Sequence, residues 1–375
     1  MNPFSPATIA PLAQQFGTPL WIYDADTITR QIAALRLFDV VRFAQKANSN
    51  THILRLMKRQ GVVVDSVSLG EIERALAGGF TPGLHNGHAD IVFTADLLDR
   101  ATLARVVELN IPVNCGSMDM LDQLGAVNPG HPVWLRINPG FGHGHSKKTN
   151  TGGEHSKHGI WHGDLVRACE KIKSNGLALQ GLHMHIGSGV DYAHLQEVCG
   201  AMLKLVEVVN AQGLDLHAIS AGGGLSVPYQ AGEPAIDTAH YFSLWDAARH
   251  AVEQLLEHPV KLEIEPGRYL MAESGVLVTE VRATKQQGAN HFVMVDAGFS
   301  DLVRPALYGA YHGMELIHSD GTAVNGLQFD TVVAGPLCES GDVFTQGDGG
   351  VVLHRSLPQA QVGDLLVLHD TGAYG

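Results

Sequence analysis

A closed (β/α)8 barrel of the TIM type, followed by a smaller β-rich domain, is the architecture this sequence predicts. Three observations predict it. Between residues 39 and 265, short and nearly continuous apolar runs alternate with helical patterns, as in parallel strands buried on both faces. Eight such runs can be read, the number that closes a barrel; a doubly wound open sheet is the alternative with the same rhythm. After Arg268 the texture changes to β-rich segments punctuated by Gly, Pro and Asp.

In order, residues 19–24 (Pro-Leu-Trp-Ile-Tyr-Asp) read as a short strand, and 25–35 as the first helix. The eight barrel strands are expected at 39–44, 61–65, 90–94, 111–115, 132–137, 179–185, 216–221 and 260–265. Helical patterns fall at 69–77, 97–109, 118–125, 164–174, 192–211 and 237–257. The helix at 69–77 shows how such a segment is specified. Ser68-Leu-Gly-Glu71 forms a capping box, Ile72, Ala75 and Leu76 share one face, and Gly78-Gly79 supply the stop. Later β runs lie at 276–282, 292–296, 332–334, 351–353 and 365–368. The barrel is therefore assigned to 25–270, and the β-rich domain to 1–24 with 271–375. Apart from a Gly/His/Lys-rich loop at 140–158, there is no low-complexity tract and no solenoid repeat.

With 375 residues, 45% hydrophobic and 17% charged, the chain has the balance of a soluble enzyme larger than one ordinary domain. A formal charge of −13 argues against a nucleic-acid surface, which needs clustered Lys and Arg. No apolar run approaches the roughly 18 residues of a membrane span, and the first residues lack the basic flank and apolar block of a signal peptide. Cys115, Cys169, Cys199 and Cys338 form no C-x-x-C pair, so reduced thiols and a cytoplasmic location are expected.

The chemistry gathers at strand ends. The first barrel run closes on Phe43-Ala-Gln-Lys46-Ala-Asn-Ser-Asn50, which puts a lysine at the C-terminal mouth, where barrels keep their active sites. The sixth ends in His183-Met-His185-Ile-Gly-Ser-Gly189. That pair suits either a metal or, for His185, the face of a flat cofactor; His183 reads as a packed barrel histidine. Gly222-Gly-Gly224 follows the seventh run and exposes backbone N–H groups that can cradle a phosphate. The eighth ends in Glu263-Ile-Glu265-Pro-Gly-Arg268. Glu265 can hold a pyridine nitrogen protonated, Glu263 reads as an internal ion pair, and Arg268 can clamp a phosphate or a carboxylate. Cys338 sits among Gly, Pro, Glu and Ser, as in an exposed loop; the other three cysteines read as core.

With these motifs in hand, the chain resembles the fold-type III pyridoxal-phosphate-dependent decarboxylases, and among them the diaminopimelate decarboxylase family. The resemblance runs from about residue 15 to the last residue. It includes the lysine block, Asp65-Ser-Val-Ser-Leu-Gly-Glu71, His185 to Gly189, Gly222 to Gly224, Glu265 to Arg268, Arg304-Pro-Ala-Leu-Tyr308, Gly335-Pro-Leu-Cys-Glu339 and Gly372-Ala-Tyr374. It implies pyridoxal 5'-phosphate as cofactor and the decarboxylation of meso-2,6-diaminopimelate to L-lysine and CO2. Lys46 would form the Schiff base, His185 would stack on the ring, and Glu265 would pair with its nitrogen. Ser188, Gly223, Gly224 and Tyr374 would hold the phosphate. The distal carboxylate would fall to Arg268, Arg304 and Tyr308, with Tyr374 beside them, and the distal ammonium to Glu339. Cys338 would supply a proton from the partner subunit, which implies a homodimer with shared sites. No metal is implied. Members of the family continue past Gly-Ala-Tyr-Gly with several dozen residues, so the resemblance also implies a C-terminal truncation at Gly375. Related decarboxylases of ornithine, arginine or carboxynorspermidine, and a non-catalytic cofactor-binding relative, are the alternatives; a racemase on the same scaffold fits Cys338-Glu339 less well.

Overall fold

The structure is a computed structural model that describes residues 3–142, 152–185, 187 and 192–375. The chain divides into two compact units. One comprises Thr29–Ser226 and Ile236–Tyr269; the other comprises Met1–Ile28, Val227–Ala235 and Leu270–Gly375.

The first unit is a closed parallel barrel. Its strands are β1 (Val40–Ala44), β2 (Val63–Ser66), β3 (Ile91–Ala95), β4 (Val113–Cys115), β5 (Pro132–Asn138), β6 (Ala178–His183), β7 (Ala218–Ser220) and β8 (Lys261–Ile264). Each pairs with its successor, and β8 returns to β1 with Glu263 opposite Val40, which closes the ring of eight; a two-residue strand, Ile160–Trp161, pairs parallel with the end of β5. Every residue of β1 and β5 is buried, as expected when helices cover the outside and side chains fill the inside. Part of that inside is polar. Arg42 of β1 donates from Nε and Nη2 to Glu263 Oε2 of β8, at 3.1 and 2.9 Å, and both groups are buried. The internal ion pair read for Glu263 is therefore present.

Local signals set the helices. Ser68 Oγ accepts from Glu71 N–H at 3.2 Å, Glu71 Oε2 accepts from Val67 N–H at 2.8 Å, and the helix Leu69–Gly78 ends at Gly79 in the left-handed region. The helix expected from residue 97 begins instead at Arg100, because Asp99 is its N-cap and accepts from Thr102 N–H at 2.9 Å. Four helices among the described residues were not read from the sequence: Pro6–Phe16, the short Arg268–Met271 and Arg304–Tyr308, and Thr51–Arg59, which Asn50 caps directly after the lysine loop.

The second unit is a mixed sheet. Its strands are β9 (Gly275–Gln287), β10 (Asn290–Val295), β11 (Met314–Ile317), β12 (Gln328–Ala334), β13 (Arg355–Pro358) and β14 (Leu365–Leu368), in the order β11-β14-β9-β10-β12-β13. The N-terminal strand Leu20–Tyr23 pairs antiparallel with the start of β9, while β10 and β12 run parallel. Both faces are covered, which explains the apolar residues at both parities. Val276, Val278 and Val367 pack with Ile9, Ala10 and Ala13 of the helix Pro6–Phe16. On the other face, Leu277, Leu366 and Leu368 pack with Val293, Val333 and Phe344. The run at 351–353 is not a strand: Val351 and Leu353 are exposed, and the segment makes one bridge, Gln346 to Val352, beside left-handed Gly349 and Gly350. Those turns leave too few paired residues for a ladder.

Candidate active site

Lys46 lies in a single 3-10 turn, Gln45–Ala47, immediately after β1. Gln45 and Ala47 are buried and Lys46 is exposed, so the turn is anchored while its lysine projects. The anchor is the Gln45 amide, whose Nε2 donates to Ser66 Oγ at 2.5 Å and to the Glu71 carbonyl at 3.1 Å. The capped helix after β2 thus fixes the lysine turn, a link that the sequence did not reveal.

The other barrel residues gather at the same strand ends. Glu265, just past β8, accepts from His183 Nε2 at 2.8 Å and from Ser220 Oγ at 3.2 Å. His183 is therefore more than packing: it holds a carboxylate. Burial by itself would favour the neutral acid, but the interaction and hydrogen bond with His183, together with Arg42, outweigh it and hold Glu265 well below the usual carboxylate range. Asp65, at the end of β2, moves the other way. Burial and the Glu265 charge push it well above its ordinary value, against Thr94, Lys46 and Arg42. The two neighbouring carboxylates are thus shifted in opposite directions, Glu265 down and Asp65 up.

His185 accepts at Nδ1 from Gly223 N–H, 3.0 Å away, which leaves the proton on Nε2. Burial, then the cations Lys46 and Arg136, push its pKa well below the ordinary histidine value, so the ring is neutral. Each histidine of the H-x-H thus has its own partner, His183 the Glu265 carboxylate and His185 the Gly223 N–H. The glycines are required by close approach. Gly224 has φ +109, and a Cβ there would lie 2.4 Å from the Gly187 carbonyl oxygen; at Gly223 it would lie 2.6 Å from that of Glu265. Arg268, half-buried, opens the helix Arg268–Met271. Ser188, together with residues 143–151 of the Gly/His/Lys-rich loop, lies outside the described residues.

The opposite end of the barrel is built differently. A cavity of about 380 Å³ there is lined by Arg42, Trp134, His217, Lys261 and Glu263, among others, away from Lys46. Asp215, His217 and His258 bring ligand-type atoms together at that end, where His258 Nε2 and Asp215 Oδ1 are 2.8 Å apart.

In the β-rich unit, Arg304 is buried at the start of the helix Arg304–Tyr308, and Tyr308 is exposed. The Arg304 guanidinium lies 4.6 Å from the Tyr229 ring centroid, and its Nη1 donates to His312 Nε2 at 2.8 Å. Cys338 is exposed and the other three cysteines are buried, as read from their surroundings. The Cys338-Glu339 loop is shaped by a residue that sequence reasoning passed over. Buried Asp342 accepts from Leu337 N–H at 2.8 Å and from Phe299 N–H at 2.7 Å. Tyr374 is half-buried, with φ +63, and the preceding residues are tied down by Thr371 N–H to the Gly275 carbonyl at 2.9 Å.

A lysine, a neutral imidazole, a glycine cradle and an ionised carboxylate at one barrel mouth suit pyridoxal phosphate: an amine anchor, a flat face, phosphate donors and a partner for the pyridine nitrogen. The profile of the family described as "Pyridoxal-dependent decarboxylase, pyridoxal binding domain" matches residues 25–272, and the chain belongs to that family. Among curated relatives, it is 66% identical over 365 residues to the diaminopimelate decarboxylase of Escherichia coli, covering 97% of this chain and 86% of that protein. It is 62% identical to the diaminopimelate decarboxylase of Streptomyces coelicolor, covering 98% and 82%. A crystal structure of diaminopimelate decarboxylase superposes with a TM-score of 0.93 at 66% identity, covering 98% of this chain and 86% of that one. The Helicobacter pylori diaminopimelate decarboxylase complexed with L-lysine gives 0.84 at 30% identity, covering 97% and 89%. Among the described residues, no helix is long and apolar enough to cross a membrane.

Proposed function

We propose that this chain decarboxylates meso-2,6-diaminopimelate to L-lysine and CO2, in the cytoplasm, as the last step of lysine biosynthesis. The observation that carries the reading is Glu265, an ionised carboxylate fixed by two side chains at the strand ends of the barrel whose first strand leads into Lys46. The names of the 66%- and 62%-identical relatives support the substrate.

Pyridoxal phosphate, when bound, supplies the electron sink that lets a carboxylate leave an amino-acid α-carbon as CO2. Lys46 Nζ would provide the amine that holds the cofactor. Glu265 keeps the proton on the pyridine nitrogen in place, because its own pKa is held too low to take it. Neutral His185 offers a flat face, positioned by Gly223 N–H. Ser188, Gly223, Gly224 and Tyr374 hold the phosphate. Arg268, Arg304, Tyr308 and Tyr374 receive the distal carboxylate, Arg304 as a planar fork. Glu339 pairs with the distal ammonium. Cys338 Sγ delivers the proton that replaces the departed carboxylate. In this reading Cys338 and Glu339 serve the site of a second copy, so the working enzyme is a homodimer.

The test is to incubate the protein with pyridoxal phosphate and meso-diaminopimelate, assaying CO2 and lysine, with ornithine, arginine and Lys46→Ala alongside. Lysine is expected from the wild type alone, and from diaminopimelate alone. Cofactor retained on Lys46 after borohydride reduction, without lysine formation, would overturn the substrate. No retained cofactor would overturn the site.

A further inference from the structure

The buried guanidinium of Arg304 is held by an imidazole that is itself held by the backbone. His312 is 1% exposed; its Nδ1 donates to the His369 carbonyl oxygen at 2.9 Å, and its Nε2 receives Arg304 Nη1 at 2.8 Å. An arginine has only donors, so Nε2 must present a lone pair. A carbonyl only accepts, so Nδ1 must carry the hydrogen. The two contacts together fix one tautomer of a neutral ring. Edge-on, 5.6 Å from that ring, stands Tyr229, which also lies beneath the Arg304 guanidinium. His369 N–H in turn donates to the Gly313 carbonyl at 2.9 Å, which locks the acceptor in place.

We propose that His312 is a positioning residue for substrate recognition, a relay that fixes the plane and direction of the Arg304 guanidinium through the His369 backbone. The inference rests on the reading that Arg304 receives the substrate's distal carboxylate. An arginine side chain has many rotamers, and a bidentate grip on a carboxylate needs one plane. Tyr229 restrains that plane from one face, and His312 restrains rotation within it. The relay acts on binding of the substrate tail and not on the bond that breaks. Its signature is a change in KM, with kcat left alone.

Two substitutions separate the two ends of the relay. In His312→Gln the amide oxygen reaches the Nε2 position and accepts from Arg304, while the carbonyl anchor is lost. In His312→Asn the amide nitrogen reaches the Nδ1 position and keeps the anchor, while the arginine contact is lost. Loss of a hydrogen bond to a charged group corresponds to about tenfold in binding. For meso-diaminopimelate, His312→Ala and His312→Asn are expected to raise KM about tenfold with kcat nearly unchanged, and His312→Gln to recover most of the loss. Inhibition by L-lysine should weaken similarly in the Ala and Asn variants, while inhibition by 1,5-diaminopentane, which lacks the carboxylate, should not. If Asn matches the wild type and Gln does not, or if kcat falls with KM unchanged, the proposal is overturned. Ring nitrogen shifts by NMR give a readout without substrate: the proton of His312 is expected on Nδ1, and finding it on Nε2 would refute the relay. An Nδ1 proton in an enzyme that does not turn over diaminopimelate would leave the relay standing and overturn the substrate instead.

Discussion

His183 Nε2 lies 2.8 Å from Glu265 Oε2, two buried groups separated by 82 positions in sequence. The pair keeps the carboxylate ionised against its own burial. Removing the charge by Glu265→Gln is therefore expected to lower kcat at least a hundredfold while cofactor retention on Lys46 persists. His183→Phe should act through the same group. Glu265 has a depressed pKa in the folded state, so it contributes stability that is present above the ordinary Glu value of about 4.3 and lost as pH falls below it. Without His183 the folded-state pKa of Glu265 moves back up, so this contribution to stability at neutral pH shrinks and with it the loss on acidification. Thermal melts between pH 3 and 7 check the stability limb, and steady-state rates check the activity.

Gly224→Ala should damage the phosphate cradle selectively. The added Cβ meets the Gly187 carbonyl oxygen at 2.4 Å, and the backbone angle of +109° is one that side chains rarely adopt. We expect a destabilisation of about 2 kcal/mol and cofactor affinity lowered about tenfold or more. Cofactor titration followed by absorbance measures the second effect, and a variant that binds as the wild type does would contradict this account of the cradle.

Asp342 orients the loop that carries Cys338 and Glu339. Asp342→Ala leaves two backbone donors without their acceptor and is expected to cost about 3 kcal/mol. Asp342→Asn keeps one acceptor oxygen and should cost less. If the loop shapes catalysis as proposed, activity should fall in parallel while Lys46 still retains the cofactor, and the alkylation rate of Cys338 should change. Denaturant melts and a timed thiol assay give both answers.

Asp370 has its pKa raised to about 6, by burial and then by Glu273, against an opposing pull from Arg304. The folded chain therefore prefers the protonated acid. The cost of ionising it appears as pH rises above the ordinary Asp value of about 3.9 and is complete above about 6. Asp370→Asn should stabilise the protein at pH 8 by about 1 kcal/mol after allowance for partial exposure, and by nearly nothing at pH 4. Equal effects at the two pH values would show that titration of this group is not the cause.

What the sequence by itself determined is what acts over a few residues. Ser68 and Glu71 announce a helix start because a cap needs only its own turn. The apolar runs from 39 to 265 announce buried parallel strands because burial on both faces leaves no alternation. Lys46, Gly222 to Gly224 and Glu265 could be placed because strand ends are legible and barrels keep their chemistry at one of them. Cys338 could be read as exposed from its polar neighbours alone.

Only the tertiary structure decided the partners. His183 became the holder of Glu265, Gln45 the anchor of the lysine turn, Asp342 the organiser of the Cys338 loop and His312 the rest for Arg304. It also assigned Val227–Ala235, with Tyr229, to the β-rich unit, and turned the apolar run at 351–353 outward. The physical reason is common to all of these. A hydrogen-bond partner depends on strand register and on where a loop returns, and those are set by the packing of distant segments, which no local pattern of residue types encodes.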